Sequence, residues 1–210
     1  MSSFLARSRR VLWLLRTLPP SGAVWVVRRL LESPASRRHR LDEALSHADG
    51  RLVFVCHGNI MRSAFASEVA RAASPLYSDF ILSAGTHASD GSPAEQTAAA
   101  VARQFGVDLE AHRSSPLASL ELTDRDLVVC MDRFNEAHVL MHLGHGGRVF
   151  LVGDIATDET GNEAIVARVS REIADPYGKG ETVTQTAFRG VRSIGELWGK
   201  RYSAARGAIR

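Results

Sequence analysis

Two cysteines in 210 residues, Cys56 and Cys130, are too few for a disulfide framework. Neither sits in a Cys-x-x-Cys pair or at a Cys/His ligand spacing, which leaves no zinc signature. Such sparing use of thiols fits a reducing cytoplasm. Long apolar runs are missing too. A bilayer-spanning helix needs roughly 20 apolar residues, and the best stretch, VLWLLRTLPPSGAVWVV, is broken by Arg16 and by Pro19 and Pro20. Its first apolar part is short for a secretory signal, and no clear cleavage site follows. No internal repeat of useful length is present. Charge of one sign is also scarce: the net charge is +3, which speaks against nucleic acid as a partner. That small excess is unevenly placed. Residues 1–50 carry nine Arg against four Asp and Glu, a net +5, which leaves residues 51–210 at −2 by difference.

What is present is ordinary for a globular chain: 45% apolar and 23% charged residues, and enough length for one domain with a substantial core. The sequence divides near residue 50. Residues 1–50 form an Arg-rich extension, residues 51–204 the main body, and residues 205–210 a tail. In the body, strand-like and helix-like segments alternate. RLVFVC (51–56) is a continuous apolar run, as expected of a parallel strand buried on both faces. RSAFASEVARAAS (62–74) is rich in helix formers. Strands are expected at 79–85, 126–132 and 148–154. Helices are expected at 93–106, with Ala98, Val101, Ala102 and Phe105 on one face, at 133–144, and within 182–204. This order argues for an α/β sandwich around a mostly parallel sheet.

The loop after the first strand carries the chemistry. In parallel sheets, ligands bind beyond the carboxyl ends of the strands, and VFVCHGNIMRSAF puts Cys56 there. The backbone N–H groups of a tight loop before a helix suit an anion. Gly58 is expected to adopt unusual backbone angles, and Asn59 to hold the loop through side-chain hydrogen bonds. Arg62 offers a planar fork of donors matching two phosphate oxygens. The same positive field favours the Cys56 thiolate, and Ser63 supplies it with a hydroxyl. The candidate oxyanion cradle is thus His57, Gly58, Asn59, Ile60, Met61, Arg62 and Ser63. The implied chemistry is attack of sulfur on phosphorus.

With VCHGNIMRS (55–63), SAGT (83–86), HRSSPL (112–117), VVCMDRFN (128–135) and DPYG (175–178) in that order, the chain resembles the low-molecular-weight protein tyrosine phosphatase family over about residues 51–204. The resemblance implies a four-stranded parallel sheet flanked by helices in a three-layer α/β sandwich. It also implies metal-free, cofactor-free hydrolysis of phosphotyrosine in proteins. Cys56 matches the family's nucleophile, Arg62 its phosphate-binding arginine and Asp175 its general acid. Bacterial phosphatases of this kind oppose tyrosine kinases, so a kinase is an implied partner.

The acid also follows from chemistry. A phenolate leaving group needs a proton from the side opposite the thiolate. Asp175, 119 residues after Cys56, lies on a Gly-flanked loop stiffened by Pro176. Tyr177 and His57 are expected to border the substrate ring, and Ile60 to offer it an apolar contact. Two features depart from the family. Met61 stands where many members carry a second cysteine, so the disulfide that rescues an oxidised nucleophile is absent unless Cys130 reaches Cys56. No tryptophan follows SAGT to border the pocket. His138, His142 and His145 lack a carboxylate partner and are expected to be a solvated helix face, with no metal. His112 is expected to make a structural hydrogen bond.

Two other functions compete. Arsenate reduction would need further cysteines to resolve the first adduct. A non-enzymatic phosphate-docking protein would have lost the nucleophile, the arginine or the acid, and all three are present. In the extension, Phe4, Leu5, Val11, Leu12, Leu15 and Leu18 share a helical face away from Arg9, Arg10 and Arg16, with Arg28 and Arg29 off the next apolar face. Residues 1–31 therefore suit the inner surface of an anionic membrane, or else pack on the body or on a second copy of the chain. Oligomeric state has no signature in the sequence.

Overall fold

The structure, a computed structural model, describes residues 24, 27–29, 31–143, 148–156 and 171–209. The expected contacts of residues 1–23 and the role of His145 lie outside the described residues. Four parallel strands form one sheet: β1 (Leu52–Cys56), β2 (Ile81–Gly85), β3 (Leu127–Cys130) and β4 (Val149–Leu151), in the order β2-β1-β3-β4. β1 and β3, the central pair, are buried at every position, as strands covered on both faces must be.

Alternation along the strands splits the core in two. Leu52, Phe54, Cys56, Val129, Met131 and Phe150 face one helical layer, and Val53, Val55, Val128, Cys130, Val149 and Leu151 face the other. The first layer holds α1 (Pro34–Ser46), α2 (Arg62–Ala73), α3 (Gln96–Gln104) and α5 (Glu181–Ala208), and the second holds α4 (Arg133–Leu143). This is the expected three-layer sandwich. Phe65 of α2 stacks on Phe188 of α5 with ring centroids 4.2 Å apart. Trp198 Nε1 donates to Val152 O at 2.8 Å, so the indole is buried with its one donor satisfied.

Two boundaries differ from expectation. The last helix runs to Ala208, so residues 205–208 continue it. Residues 34–48 are not peripheral. Ser33 caps α1 by accepting from Ser36 N, Pro34 starts it, and Leu41, Ala44, Leu45 and Ala48 join the core beside β1. Arg29 also turns inward, to 6% exposure, and with Arg40 donates to Val149 O on the edge strand. Among the described residues no helix is long and apolar enough to cross a membrane.

Candidate active site

β1 ends at Cys56 on the carboxyl edge of the sheet, and α2 begins six residues later at Arg62. The loop between them is held by its carbonyls. Cys56 O accepts from Thr86 N (3.0 Å), His57 O from His87 N (2.8 Å) and Ile60 O from Glu95 N (2.9 Å). Asn59 O accepts from His112 Nε2 at 2.6 Å. A carbonyl cannot donate, so His112 carries its proton on Nε2. Burial first, outweighing that hydrogen bond, lowers the His112 pKa and keeps the ring neutral. In a trans peptide the C=O and the following N–H point in opposite directions. Four carbonyls tied outward therefore turn the N–H groups of His57, Gly58, Ile60 and Met61 toward the inside of the loop. With the start of α2 behind them, they form a cradle for a tetrahedral anion.

The strained backbone position is Asn59, not Gly58. Asn59 has φ 53° and is fully buried, and Gly58 is not among the positive-φ residues. A Cβ on Gly58 would meet only the Ile60 side chain, at ordinary distances of 3.5 Å and 3.8 Å. Asn59 accepts the left-handed conformation because its side chain is locked. Its Oδ1 takes Ser115 N (2.9 Å) and its Nδ2 donates to Ser63 Oγ (2.9 Å). Ser63 Oγ in turn donates to Cys56 Sγ at 3.0 Å, as the sequence suggested. The glycine that the loop does need is Gly85, at the end of β2. A Cβ there would lie 2.6 Å from His57 O and 2.9 Å from Asn59 N.

Arg62 is 1% exposed. Nη1 donates to Asp132 Oδ2 (2.7 Å) and Ile173 O (2.9 Å), and Nη2 lies 3.0 Å from Asp175 Oδ2. Burial pulls the guanidinium pKa down, but the charges of Cys56, Asp132 and Asp175 outweigh it and hold it above its ordinary value. The structure thus brings the distant Asp175 to the arginine of the cradle. That carboxylate is open to water, with Asp175 Oδ1 accepting from Tyr177 N at 3.3 Å and Lys179 Nζ donating to Asp175 O at 2.7 Å.

At the rim, His57 is exposed and stacks on His87 with centroids 4.5 Å apart, and His87 meets His138 edge-on at 4.7 Å. His138 is half-buried against this group rather than part of a solvated face. Tyr177 is exposed, and Ile60 packs partly against the core while Met61 is buried. Cys130 pairs in register with Val55 and faces the opposite layer from Cys56. The sheet itself separates the two thiols. Burial, and then the charges of Glu136 and Asp132, push the Cys130 thiol well above its ordinary pKa. Among the described residues no group of three His, Cys, Asp or Glu is placed to hold a metal.

The sequence reading missed Asp132, Gly85, Ser115 and His87. Asp132 directly follows β3, and its place at a strand's carboxyl end was a readable signal. Gly85 and Ser115 lie within SAGT and HRSSPL, so a signal was present without a role, while His87 acts across the fold and carries no local mark.

A thiol at the carboxyl end of a parallel strand, a cradle of inward amides, a buried arginine and a carboxylate from a far loop define a cysteine-based enzyme acting on a tetrahedral oxyanion. Residues 51–197 match the family described as low molecular weight phosphotyrosine protein phosphatase, and the chain belongs to that family. It is 29% identical over 154 residues to the low molecular weight protein-tyrosine-phosphatase Etp of Escherichia coli K12, covering 72% of this chain and 94% of Etp. The crystal structure of the Erwinia amylovora tyrosine phosphatase AmsI superposes with a TM-score of 0.59 at 28% identity, over 71% of this chain and 90% of that one. The YwlE arginine phosphatase of Geobacillus stearothermophilus shares the fold at a TM-score of 0.60 and 21% identity, over 77% of this chain and 97% of that one. Membership makes the chain a cysteine-dependent protein-tyrosine-phosphatase, a phosphoric monoester hydrolase.

Proposed function

We propose that Cys56 is the nucleophile, Arg62 and the loop amides the phosphate clamp, and Asp175 the general acid in hydrolysis of phosphotyrosine-bearing proteins. The Cys56 thiolate attacks phosphorus in line with the phenolic oxygen. The P–O bond breaks, and Asp175 delivers its proton to the departing oxygen. The phosphate now sits on sulfur. Asp175, deprotonated, takes a proton from water as that water attacks phosphorus, and the thiolate leaves. Arg62 and the N–H groups of His57, Gly58, Ile60 and Met61 hold the equatorial oxygens through both steps.

The observation that carries this reading is the convergence on one buried guanidinium: Arg62 meets Asp175 at 3.0 Å, while the neighbouring Ser63 donates to Cys56 Sγ at 3.0 Å. Ile60 and Tyr177 border the opening and favour a phenyl ring over a charged guanidine. The test is hydrolysis of phosphotyrosine, phosphoserine and phosphoarginine peptides by wild type, Cys56→Ser and Asp175→Asn. Cys56→Ser is expected to be inactive on all three. Asp175→Asn is expected to be about 10²–10⁴-fold slower on phosphotyrosine and far less impaired on esters of very acidic phenols. Turnover of phosphotyrosine by Cys56→Ser would end the proposal.

A tyrosine kinase is the partner class proposed, and the cytoplasmic side of a membrane the location. Val24, Val27 and Leu31 support membrane contact: they lie on one helical face and are 66%, 40% and 80% exposed, with Arg29 turned the other way. Because α1 is part of the core, the test is substitution rather than truncation. Val24, Val27 and Leu31 changed together to Ser should lower flotation with anionic liposomes, and unchanged flotation would remove the idea.

A further inference from the structure

The approach to Asp175 is fastened almost residue by residue. Arg171 Nε and Nη2 lie 2.8 Å from Asp154 Oδ1, and Arg171 O accepts from Gly153 N at 3.2 Å. Glu172 accepts from Arg133 N at 3.2 Å and pairs with Arg133 Nε at 3.4 Å. Ile173 N donates to Met131 O at 2.8 Å, and Ile173 O accepts from Arg62. Asp175 then reaches Arg62.

The carboxylates beneath this stem are shared with the N-terminal segment. Asp154 has a side-chain exposure of 0%, and Arg37 Nε of α1 lies 3.8 Å from the same Oδ1 that holds Arg171. Asp154 Oδ2 accepts from Leu151 N at 2.9 Å. Arg29 Nε lies 3.6 Å from Glu136 Oε1, and Arg133, the partner of Glu172, lies 3.7 Å from Glu136 Oε2. Two buried acids thus stand between Arg29 and Arg37 of the extension on one side and, on the other, Arg171 of the acid loop and Arg133 of α4, the partner of Glu172. Buried carboxylates are costly unless cations compensate them. Withdrawing Arg37 removes one of the cations around Asp154, and the Asp154 carboxylate then shifts toward those that remain and takes Arg171 with it.

We propose that the N-terminal segment positions the catalytic acid: Arg37, through Asp154 and Arg171, sets where Asp175 sits relative to the leaving group. This rests on the reading of Asp175 as the proton donor. Arg37 is then a positioning residue, and its effect should scale with how much the leaving group needs a proton.

The full-length protein is assayed with phenyl phosphate, whose leaving group has a pKa of about 10 like tyrosine, and with 2,4-dinitrophenyl phosphate, whose leaving group needs no acid. Arg37→Ala should lower kcat/KM, which reports the steps up to phosphocysteine and not its hydrolysis, about tenfold on phenyl phosphate, part of what a positioned acid contributes, and less than about twofold on the dinitrophenyl ester. Arg37→Lys, which keeps the charge, should restore most of the loss. In an Asp175→Asn background, Arg37→Ala should have no further effect, because the group it positions is gone. Should Arg37→Ala not fold, Asp154→Asn carries the same test, since it retains an oxygen for Leu151 N. Equal losses on both esters, or an undiminished loss in the Asp175→Asn background, would overturn the inference while leaving the acid reading intact. If Asp175→Asn alone slows both esters alike, the acid reading fails and the inference falls with it.

Discussion

The thiol loop and the acid loop are built on opposite principles. The loop from Cys56 to Ser63 is contiguous and mostly buried, and its carbonyls and one asparagine lock it in place. The loop from Arg171 to Asp175 is tied by ion pairs to residues far away in sequence, and its working carboxylate stands partly in water. The first presents a fixed cradle in which little reorganises during reaction, the condition for strong electrostatic stabilisation. Under the proposed mechanism the second gives and takes a proton, which suits a carboxylate held by ion pairs and partly open to water. One loop is protected by packing, and the other is set by charge.

Chemical attack on the thiol should break the contrast most completely. Peroxide is expected to abolish activity, with little returned by dithiothreitol, because Met61 supplies no neighbouring thiol and Cys130 lies across the sheet. Full recovery after mild treatment would show that another route protects Cys56. Gly85→Ala should come next. Its Cβ would press on His57 O and Asn59 N, costing about 1–3 kcal/mol in stability and roughly 10²-fold in kcat/KM as the cradle shifts. Wild-type kinetics in this variant would mean that the loop yields more than its hydrogen bonds suggest.

A smaller effect is expected beneath the acid loop. Burial first, and then the charge of Asp154, raise Glu136 from 4.5 to about 7, against the pull of Arg133, Arg29 and Arg171. The folded protein then holds a proton that the unfolded chain has released. This group's contribution to stability therefore falls as pH rises from about 4.5 to about 7, by on the order of 3 kcal/mol. Glu136→Gln should flatten that part of the profile in urea unfolding between pH 5 and pH 8. An unchanged slope would place the titration elsewhere.

The legible part of the molecule was the local part. Strand, Cys56, loop, Arg62 and helix follow one another within a dozen residues, so apolar runs and helix formers sufficed to place them. The ends of the elements were less legible, because β3 and β4 are shorter than the apolar runs that contain them. Within the loop the error was instructive. Glycine is the usual bearer of positive φ, yet a side chain locked from Ser115 and Ser63 moved it to Asn59. The extension was legible only in part. Its sequence left open a membrane surface or packing on the body, and burial of Arg29 and Arg37 against Glu136 and Asp154, acids more than a hundred residues away, shows packing for these two. Charge in a sequence has no direction until its partner is placed.

The sequence by itself determined the alternation of strands and helices, the thiol at a strand's end and the arginine one loop later. Those follow from periodicity and short-range chemistry that any folded form of this chain must respect. Tertiary structure alone decided that Asp132 and Asp175 meet Arg62, that Gly85 makes room for the cradle, that Cys130 is walled off from Cys56, and that the N-terminal arginines reach the base of the acid loop. Each of these depends on which strands lie side by side and which face each residue takes, and that is settled only when the whole core closes.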